Sequence, residues 1–140
     1  MVIADTGFWL ALANRKDRHH HAAQQRLESL DEGLITTWPV VTETCYLLLD
    51  RLGPASIRNY IHSLAAGAFD IFDLRRDDAP RIAELMDKYA DLPLDLADAS
   101  MVILAEHLGH GRILSTDQRD FGAYRWKQHR PFENLLLNVR

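Results

Sequence analysis

Short apolar runs alternate along the chain with longer segments whose apolar residues recur at helical spacing. Five runs are short, apolar or β-branched and bounded by turn residues, which predicts strands at residues 1–4, 33–37, 69–74, 112–116 and 133–139. The helical spacing predicts helices at residues 8–13, 18–30, 40–52, 55–66, 79–89 and 96–108. Because alternating strands and helices build a parallel sheet covered on both faces, the sequence predicts one α/β domain of three α/β/α layers with about five, mostly parallel strands.

Several segments also indicate their surroundings. Residues 69–74 alternate apolar and acidic side chains, which is typical of a strand near the sheet edge with one face in water. Residues 96–108 are apolar nearly all round, so this helix should be largely buried. Residues 118–121 are predicted as a turn. For the basic and aromatic residues 124–131 two interpretations stay open: a rim that contacts phosphates and stacks bases, or aromatic rings that pack on the core.

Acidic side chains stand where several predicted elements reach one edge of the sheet. Asp5 and Asp117 each end a strand, and each has a hydroxyl residue beside it. Glu43 and Asp98 lie near the N-termini of helices that leave the same edge. Ligands of open α/β sheets bind at the carboxyl edge. We therefore expect these carboxylates to meet in one pocket that holds a divalent metal ion.

Two of these acids also have a structural interpretation. The Glu43 carboxylate has apolar neighbours at helical spacing, where a charge is costly unless it is compensated. Its alternative role is to favour the helix dipole or to pair with an arginine. Asp95 is the predicted N-cap of the helix at 96–108, which makes Asp98 its partner in a capping box. Capping and a pocket role are compatible for Asp98.

Composition and charge narrow the class of protein. The 140 residues suit one domain, and 47% hydrophobic with 26% charged residues is the composition of a globular chain. With 16 basic and 20 acidic residues the net charge is −4, which argues against holding nucleic acid by overall electrostatics but leaves local Arg and Lys to meet phosphates. Cys45 alone allows no internal disulfide, and no secretory signal is recognisable, so the cytoplasm is the expected compartment.

The donor set predicts the kind of metal. Carboxylate oxygens without His or Cys partners select Mg²⁺ or Mn²⁺ over Zn²⁺. The run His19–His21 is no competing site, because consecutive helical residues point about 100° apart and cannot converge on one ion. A hard cation in an acidic pocket can activate water for phosphodiester hydrolysis, and no side-chain nucleophile is then needed. No Ser or Cys stands in a recognisable nucleophile motif either.

Short motifs occur in an order that resembles a PIN domain. They are Val2-Ile3-Ala4-Asp5-Thr6, Thr42-Glu43, Leu94-Asp95-Leu96-Ala97-Asp98-Ala99, and Leu114-Ser115-Thr116-Asp117 followed by Phe121. More narrowly, the set resembles the VapC-like ribonuclease toxins of type II toxin–antitoxin pairs. The resemblance covers nearly the whole chain. It implies an endoribonuclease that depends on Mg²⁺, for which Mn²⁺ can substitute, and that cuts tRNA or ribosomal RNA. It also implies inhibition by a cognate antitoxin and a homodimer.

The resemblance also assigns roles to single positions. It implies a catalytic set of Asp5, Glu43, Asp98 and Asp117, with Asp5 and Asp98 as metal ligands. Supporting hydroxyls are expected from Thr6 and Thr116. Gly7 departs from the family pattern, in which many relatives carry Ser or Asn, so a polar contact is expected to be missing there.

Other classes of protein fit the sequence less well. A receiver-type signalling domain with a phosphoacceptor aspartate needs an acidic pair after the first strand and a lysine after a late one, but Asp5 stands alone and no lysine ends the fourth strand. A phosphatase of the haloacid-dehalogenase type needs a second aspartate at position 7, which is Gly7. A non-catalytic PIN scaffold that only binds partners also remains open, although all four acids are present.

Overall fold

The computed structural model describes residues 1–137. Within this range the strands are β1 (Val2–Ala4), β2 (Leu34–Thr37), β3 (Asp70–Phe72), β4 (Arg112–Leu114), β5 (Arg125–Trp126), β6 (Arg130–Pro131) and β7 (Glu133–Asn134). The helices are α1 (Thr6–Ala13), α2 (His20–Ser29), α3 (Trp38–Leu52), α4 (Pro54–Ala65), α5 (Ala79–Lys88), α6 (Leu96–Leu108) and α7 (Gln118–Ala123). A 3₁₀ turn at Arg76–Asp78 precedes α5.

The central sheet has five strands in the order β3-β2-β1-β4-β7, and all of its pairs are parallel. Helices flank it, so the predicted three-layer α/β/α fold is confirmed. The chain runs outward from β1 through β2 to β3 and then returns through α5 and α6 to β4, on the other side of β1. The strand order therefore reverses between β1 and β4. Such a switch point opens a crevice at the carboxyl ends of the strands.

The core lies between the sheet and the helix that crosses back to β4. Strands β1 and β4 place Val2, Ile3, Ile113 and Leu114 at 0% exposure. Helix α6 is buried along most of its length, as its apolar pattern predicted. The edge position of β3, with Asp70 exposed, is also confirmed. Packing around β1 and β4 thus makes the floor of the crevice rigid.

Two predictions near the C-terminus are wrong. Residues 118–121 belong to helix α7 and not to a turn, because the Asp117 side chain accepts a hydrogen bond from the Asp120 N–H and caps the helix. The strand predicted at 133–139 is paired only at Glu133–Asn134. The Asn134 side chain then accepts a hydrogen bond from Leu136 N–H and turns the chain. Residues 138–139 of that prediction lie outside the described range.

The basic and aromatic segment forms a hairpin of the antiparallel strands β5 and β6, which the sequence did not predict. Tyr124 and Trp126 are buried, so the packing interpretation is correct for these rings. In the histidine run, His20 bonds through Nδ1 to the Ala11 carbonyl at 2.7 Å and ties α2 to α1. Helix α2 begins at His20, later than predicted. Within residues 1–137, none of the helices has both the length and the apolar character needed to cross a membrane.

Candidate active site

A cavity of about 240 Å³ lies at the switch point and is lined by all four predicted acids, Asp5, Glu43, Asp98 and Asp117. The predicted convergence of β1, α3, α6 and the end of β4 is therefore observed. A larger groove of about 340 Å³ near α1 and α4 is lined mainly by apolar side chains, so it offers less chemistry. In the described part of the chain, no three His, Cys, Asp or Glu side chains are close enough to hold a metal ion as they stand.

Strand register fixes the position of Asp5. Ala4 pairs with Leu114, and the Asp5 N–H donates to the Leu114 carbonyl at 3.0 Å, so Ser115 lies beside Asp5. The Ser115 hydroxyl donates to Asp5 Oδ2 at 3.0 Å and accepts from the Asp117 N–H at 2.9 Å. One hydroxyl thus links the acids that end β1 and β4.

Asn134 holds Ser115 in place from the neighbouring strand β7. Its Nδ2 donates to the Ser115 carbonyl at 2.9 Å, and its Oδ1 accepts from the Ser115 N–H at 3.3 Å. Sequence reasoning missed both residues and expected Thr6 and Thr116 to support the acids. Thr6 and Thr116 line the cavity, but Ser115 makes the hydrogen bonds to the acids. The register of β4 against β1 and β7 is the signal that identifies Ser115 and Asn134.

Asp98 has both of the roles considered from the sequence. Its Oδ2 accepts from the Asp95 N–H at 3.4 Å, and the Asp95 side chain accepts from the Asp98 N–H at 2.8 Å, which completes the capping box. The same Oδ2 faces the cavity and accepts from the Tyr124 hydroxyl at 3.2 Å. Tyr124 is 0% exposed and was also missed, since the sequence does not show that its ring reaches the start of α6.

Glu43 lies in the second turn of α3 and is half-buried. In residues 1–137 it forms no ion pair, so the alternative in which an arginine neutralises it is not observed. Arg51 lines the same cavity two turns further along α3 and was not singled out from the sequence. Its guanidinium likewise forms no ion pair within the described range. A free cation therefore borders the acidic cavity.

The acids strongly disfavour each other's charge. Burial raises the pKa of Asp5 to about 7, with smaller contributions from the charges of Glu43 and Asp117, against the lowering effect of the Thr6 backbone and the Ser115 hydroxyl. Burial also raises the pKa of Asp98 well above its usual range, and the neighbouring charges of Asp95 and Asp5 add to the effect. Near neutral pH, protons compete for sites that a divalent cation would stabilise as carboxylates.

The donor set fits a hard divalent cation. Burial, followed by the charge of Asp95, raises the pKa of Glu43, while the nearby Thr6 hydroxyl lowers it. That hydroxyl is buried and has no hydrogen bond of normal geometry to any described residue. The cavity thus combines four carboxylates, an oxygen donor without a fixed partner, and no nitrogen or sulfur ligand. An oxygen-binding cation would remove the repulsion between the acids.

Gly7 and Thr116 share the space at the mouth of the cavity. A Cβ built on Gly7 would lie 1.9 Å from the Thr116 Oγ1 and 3.0 Å from the Thr116 Cβ. The Thr116 side chain therefore occupies the place of any side chain at position 7. This close packing explains why the polar residue that many relatives carry there is absent.

Comparisons with known proteins support the same site. The PIN domain family model matches residues 2–127. Ribonuclease VapC26 of Mycobacterium tuberculosis (strain ATCC 25618 / H37Rv) is 30% identical over 124 residues, which cover 89% of this chain and 92% of the relative. The crystal structure of Mycobacterium tuberculosis VapC20, described as a sarcin-ricin loop cleaving toxin, matches with a TM-score of 0.79 at 20% identity, over 85% of this chain and 92% of the other.

A second structure is a toxin–antitoxin complex from Klebsiella pneumoniae, in which the matched chain gives a TM-score of 0.66 at 19% identity, over 88% of this chain and 92% of the other. At these identities the two structures support the fold alone. The family model and the sequence relative carry the assignment to a family.

The raised pKa values predict how stability depends on pH. The folded chain binds more protons than the unfolded chain from about pH 4 to about pH 7, so without metal the acid pair lowers the free energy of unfolding as pH rises through this range. Asp98→Asn removes one buried charge and keeps an oxygen acceptor. We expect it to raise the free energy of unfolding at pH 8 by about 1 kcal/mol.

Urea denaturation in EDTA between pH 5 and pH 8 measures this effect, with Asp87→Asn on the exposed face of α5 as the control. Asp87→Asn should leave the pH slope as it is in the wild type. A destabilised Asp98→Asn variant at pH 8, or one with the wild-type slope, would contradict the electrostatic account.

The contact between Gly7 and Thr116 predicts a coupled pair of mutations. Alanine normally stabilises a helix by about 1 kcal/mol over glycine, but Gly7→Ala should destabilise by about 1–3 kcal/mol because its Cβ meets Thr116. In a Thr116→Ala background the cost should fall by at least about 0.5 kcal/mol. Gly122→Ala in α7 is the control, since nothing lies within 4 Å of its Cβ. Equal costs in the two backgrounds would disprove the shared space.

Proposed function

The chain belongs to the PIN-domain family, and from this premise we propose that it is a metal-dependent endoribonuclease toxin of a toxin–antitoxin pair. Its reaction is the hydrolysis of RNA phosphodiester bonds. The single observation that carries the proposal is the cavity at the switch point, where four carboxylates meet and burial raises the pKa of Asp5 to about 7. The family match sets aside the receiver-domain alternative, whereas the non-catalytic PIN scaffold is decided by experiment.

Asp5 and Asp98 are the residues that would hold the cation, Mg²⁺ or in its place Mn²⁺. When bound, such a cation lowers the pKa of water and stabilises charge on the phosphate and the leaving oxygen. Ser115 orients Asp5, and the Tyr124 hydroxyl orients Asp98, so both carboxylates are positioned before any ligand arrives. Asp117 completes the acidic wall from the end of β4.

The other residues of the cavity act on the proton and the phosphate. The raised pKa of Glu43 suits it to accept a proton from the attacking water near neutral pH. The Arg51 guanidinium borders the same cavity and can donate two hydrogen bonds to non-bridging phosphate oxygens. Together these groups supply proton transfer and charge stabilisation without a covalent intermediate on the protein.

Structured RNA is the proposed substrate class, tRNA or ribosomal RNA. The matched VapC20 structure is described as that of a sarcin-ricin loop cleaving toxin, which supports a ribosomal RNA fragment as a first test substrate. The matched toxin–antitoxin complex supports an antitoxin protein as the inhibiting partner. We expect this pair to act in the cytoplasm.

A homodimer is the proposed assembly. An open groove of about 630 Å³ between α3 and α6 is lined by Trp38, Tyr46 and Leu96. These side chains are exposed by 49%, 70% and 46%, respectively. Exposed apolar side chains gathered in one patch are typical of protein interfaces, and a twofold axis lets the same patch face itself. We therefore place the dimer contact on this face of α3 and α6.

Cleavage assays test the proposed reaction directly. A panel of tRNA and ribosomal RNA fragments is incubated with Mg²⁺ or Mn²⁺ and with wild type or Asp98→Asn purified identically. The wild type should cut in a metal-dependent way and Asp98→Asn should be at least about 100-fold slower while remaining folded. Asp5→Asn should behave in the same way. If neither protein cuts, or both cut equally, the nuclease proposal fails and the non-catalytic scaffold is favoured.

Sedimentation measurements test the dimer. Tyr46→Glu places a charge in the exposed apolar patch and should convert the dimer to a monomer, because an unpaired charge is costly to bury in an interface. Met86→Glu on α5 is the matched control, since Met86 is also an exposed apolar residue but lies on another helix. A wild type that is monomeric at micromolar concentration, or a dimer unaffected by Tyr46→Glu, would contradict this assembly.

A further inference from the structure

The hairpin of β5 and β6, residues 125–131, is here called the basic hairpin. It contains Arg125, Lys127, His129 and Arg130 and no acidic residue, in a chain whose net charge is −4. Lys127, His129 and Arg130 are exposed. Positive charge is thus concentrated on a surface that the buried rings Tyr124 and Trp126 support from within.

The cations of the basic hairpin are not used to hold the fold together through ion pairs. Elsewhere, Arg81 pairs with Glu106, and Arg112 pairs with Glu32. In the part of the chain that the structure describes, Lys127 and Arg130 have no carboxylate partner. The Arg125 guanidinium donates only to backbone carbonyls, those of residues 122, 123 and 124. These charges remain available to an external anion.

The hairpin tip is held in one shape. Lys127 and Gln128 both have positive φ, 45° and 68°, a conformation that costs energy for residues other than glycine. The Glu106 carboxylate accepts from the Lys127 N–H, and Lys88 Nζ donates to the Gln128 carbonyl at 3.2 Å. The surrounding contacts therefore compensate the strained turn.

The two exposed cations are ordered by a ring. Lys127 Nζ lies 6.0 Å and Arg130 Cζ 5.4 Å from the centre of the Trp126 ring. Cation–π contacts restrict both long side chains. Binding an anion would then cost less side-chain entropy than binding to free surface lysines.

The basic hairpin is continuous with the acidic cavity. Tyr124 immediately precedes β5 and donates to Asp98 in the cavity. From Asp98 to Glu106, where the hairpin tip is bound, α6 rises by about 12 Å at 1.5 Å per residue. An RNA strand can cover such a distance with a few nucleotides. Phosphates on the hairpin and a phosphate in the cavity can thus belong to one strand.

We propose that the basic hairpin binds the sugar–phosphate backbone of the RNA whose scissile bond lies in the acidic cavity. This inference rests on the proposed ribonuclease function and adds the surface that positions the substrate. Recognition is by charge and not by base, because Lys and Arg contacts to phosphates carry no sequence information. The hairpin should therefore affect substrate binding and leave the chemical step unchanged.

Charge reversal tests the proposal. Lys127→Glu/Arg130→Glu is compared with Arg15→Glu/Lys16→Glu, which reverses two exposed cations before α2 and gives the same net charge. The hairpin variant should raise KM for a ribosomal RNA stem–loop at least about tenfold with kcat within about twofold of the wild type, whereas the control should leave both parameters within about twofold. Lys127→Gln/Arg130→Gln should give an intermediate KM, and thermal denaturation checks that each variant is folded.

Salt dependence gives a second readout. The slope of log affinity against log salt for a fluorescent RNA should fall in magnitude by about 1.4 in the hairpin variant, from about 0.7 per phosphate contact in single strands. A KM and slope that match those of the control variant would overturn the proposal. A wild type that cuts none of the RNAs sinks the ribonuclease proposal, and RNA binding by anisotropy then judges the hairpin alone: loss of binding in the hairpin variant only supports the surface, and equal binding overturns it.

Discussion

The pairing of β1 with β4 is the constraint on which the site depends. Ile3 lies opposite Ile113, and this register sets Asp5 beside Ser115 at the point where the strand order reverses. One hydroxyl can then touch both Asp5 and the Asp117 backbone. A shift of one residue would turn these side chains to the opposite faces of the sheet. The buried apolar residues of β1 and β4 make that shift too costly, so core packing and site geometry have the same origin.

Repulsion between carboxylates is the second organising force. The folded chain holds Asp5 in a buried cavity with three other acids, although burial raises its pKa to about 7. This arrangement opposes stability in the absence of a cation, and the apolar packing of α6 compensates for it. The membership of the PIN family gives this cost a purpose, because acids that compete for protons also attract a divalent cation. Arg51 at the border adds a cation that can meet the phosphate.

Much of the fold and part of the site could be predicted from local patterns. Asp5 could be located because it ends an apolar strand, and Asp98 because Asp95 marks the start of its helix. Ser115 and Asn134 could not, because their contacts depend on the register between strands that are distant in sequence. Tyr124 was open to two interpretations, since its burial depends on packing against α6. Helix α7 was missed because Asp117 also acts as its cap.

Proton release on metal binding tests the central claim most directly. The claim is that the acids of the cavity share protons at neutral pH and exchange them for a divalent cation. Calorimetric titration of the protein with Mn²⁺ at pH 7, in two buffers of different ionisation enthalpy, counts the protons released. The account predicts binding with the release of about one proton, which disappears in Asp98→Asn together with the binding. Binding without proton release, or equal binding by the wild type and Asp98→Asn, would contradict it.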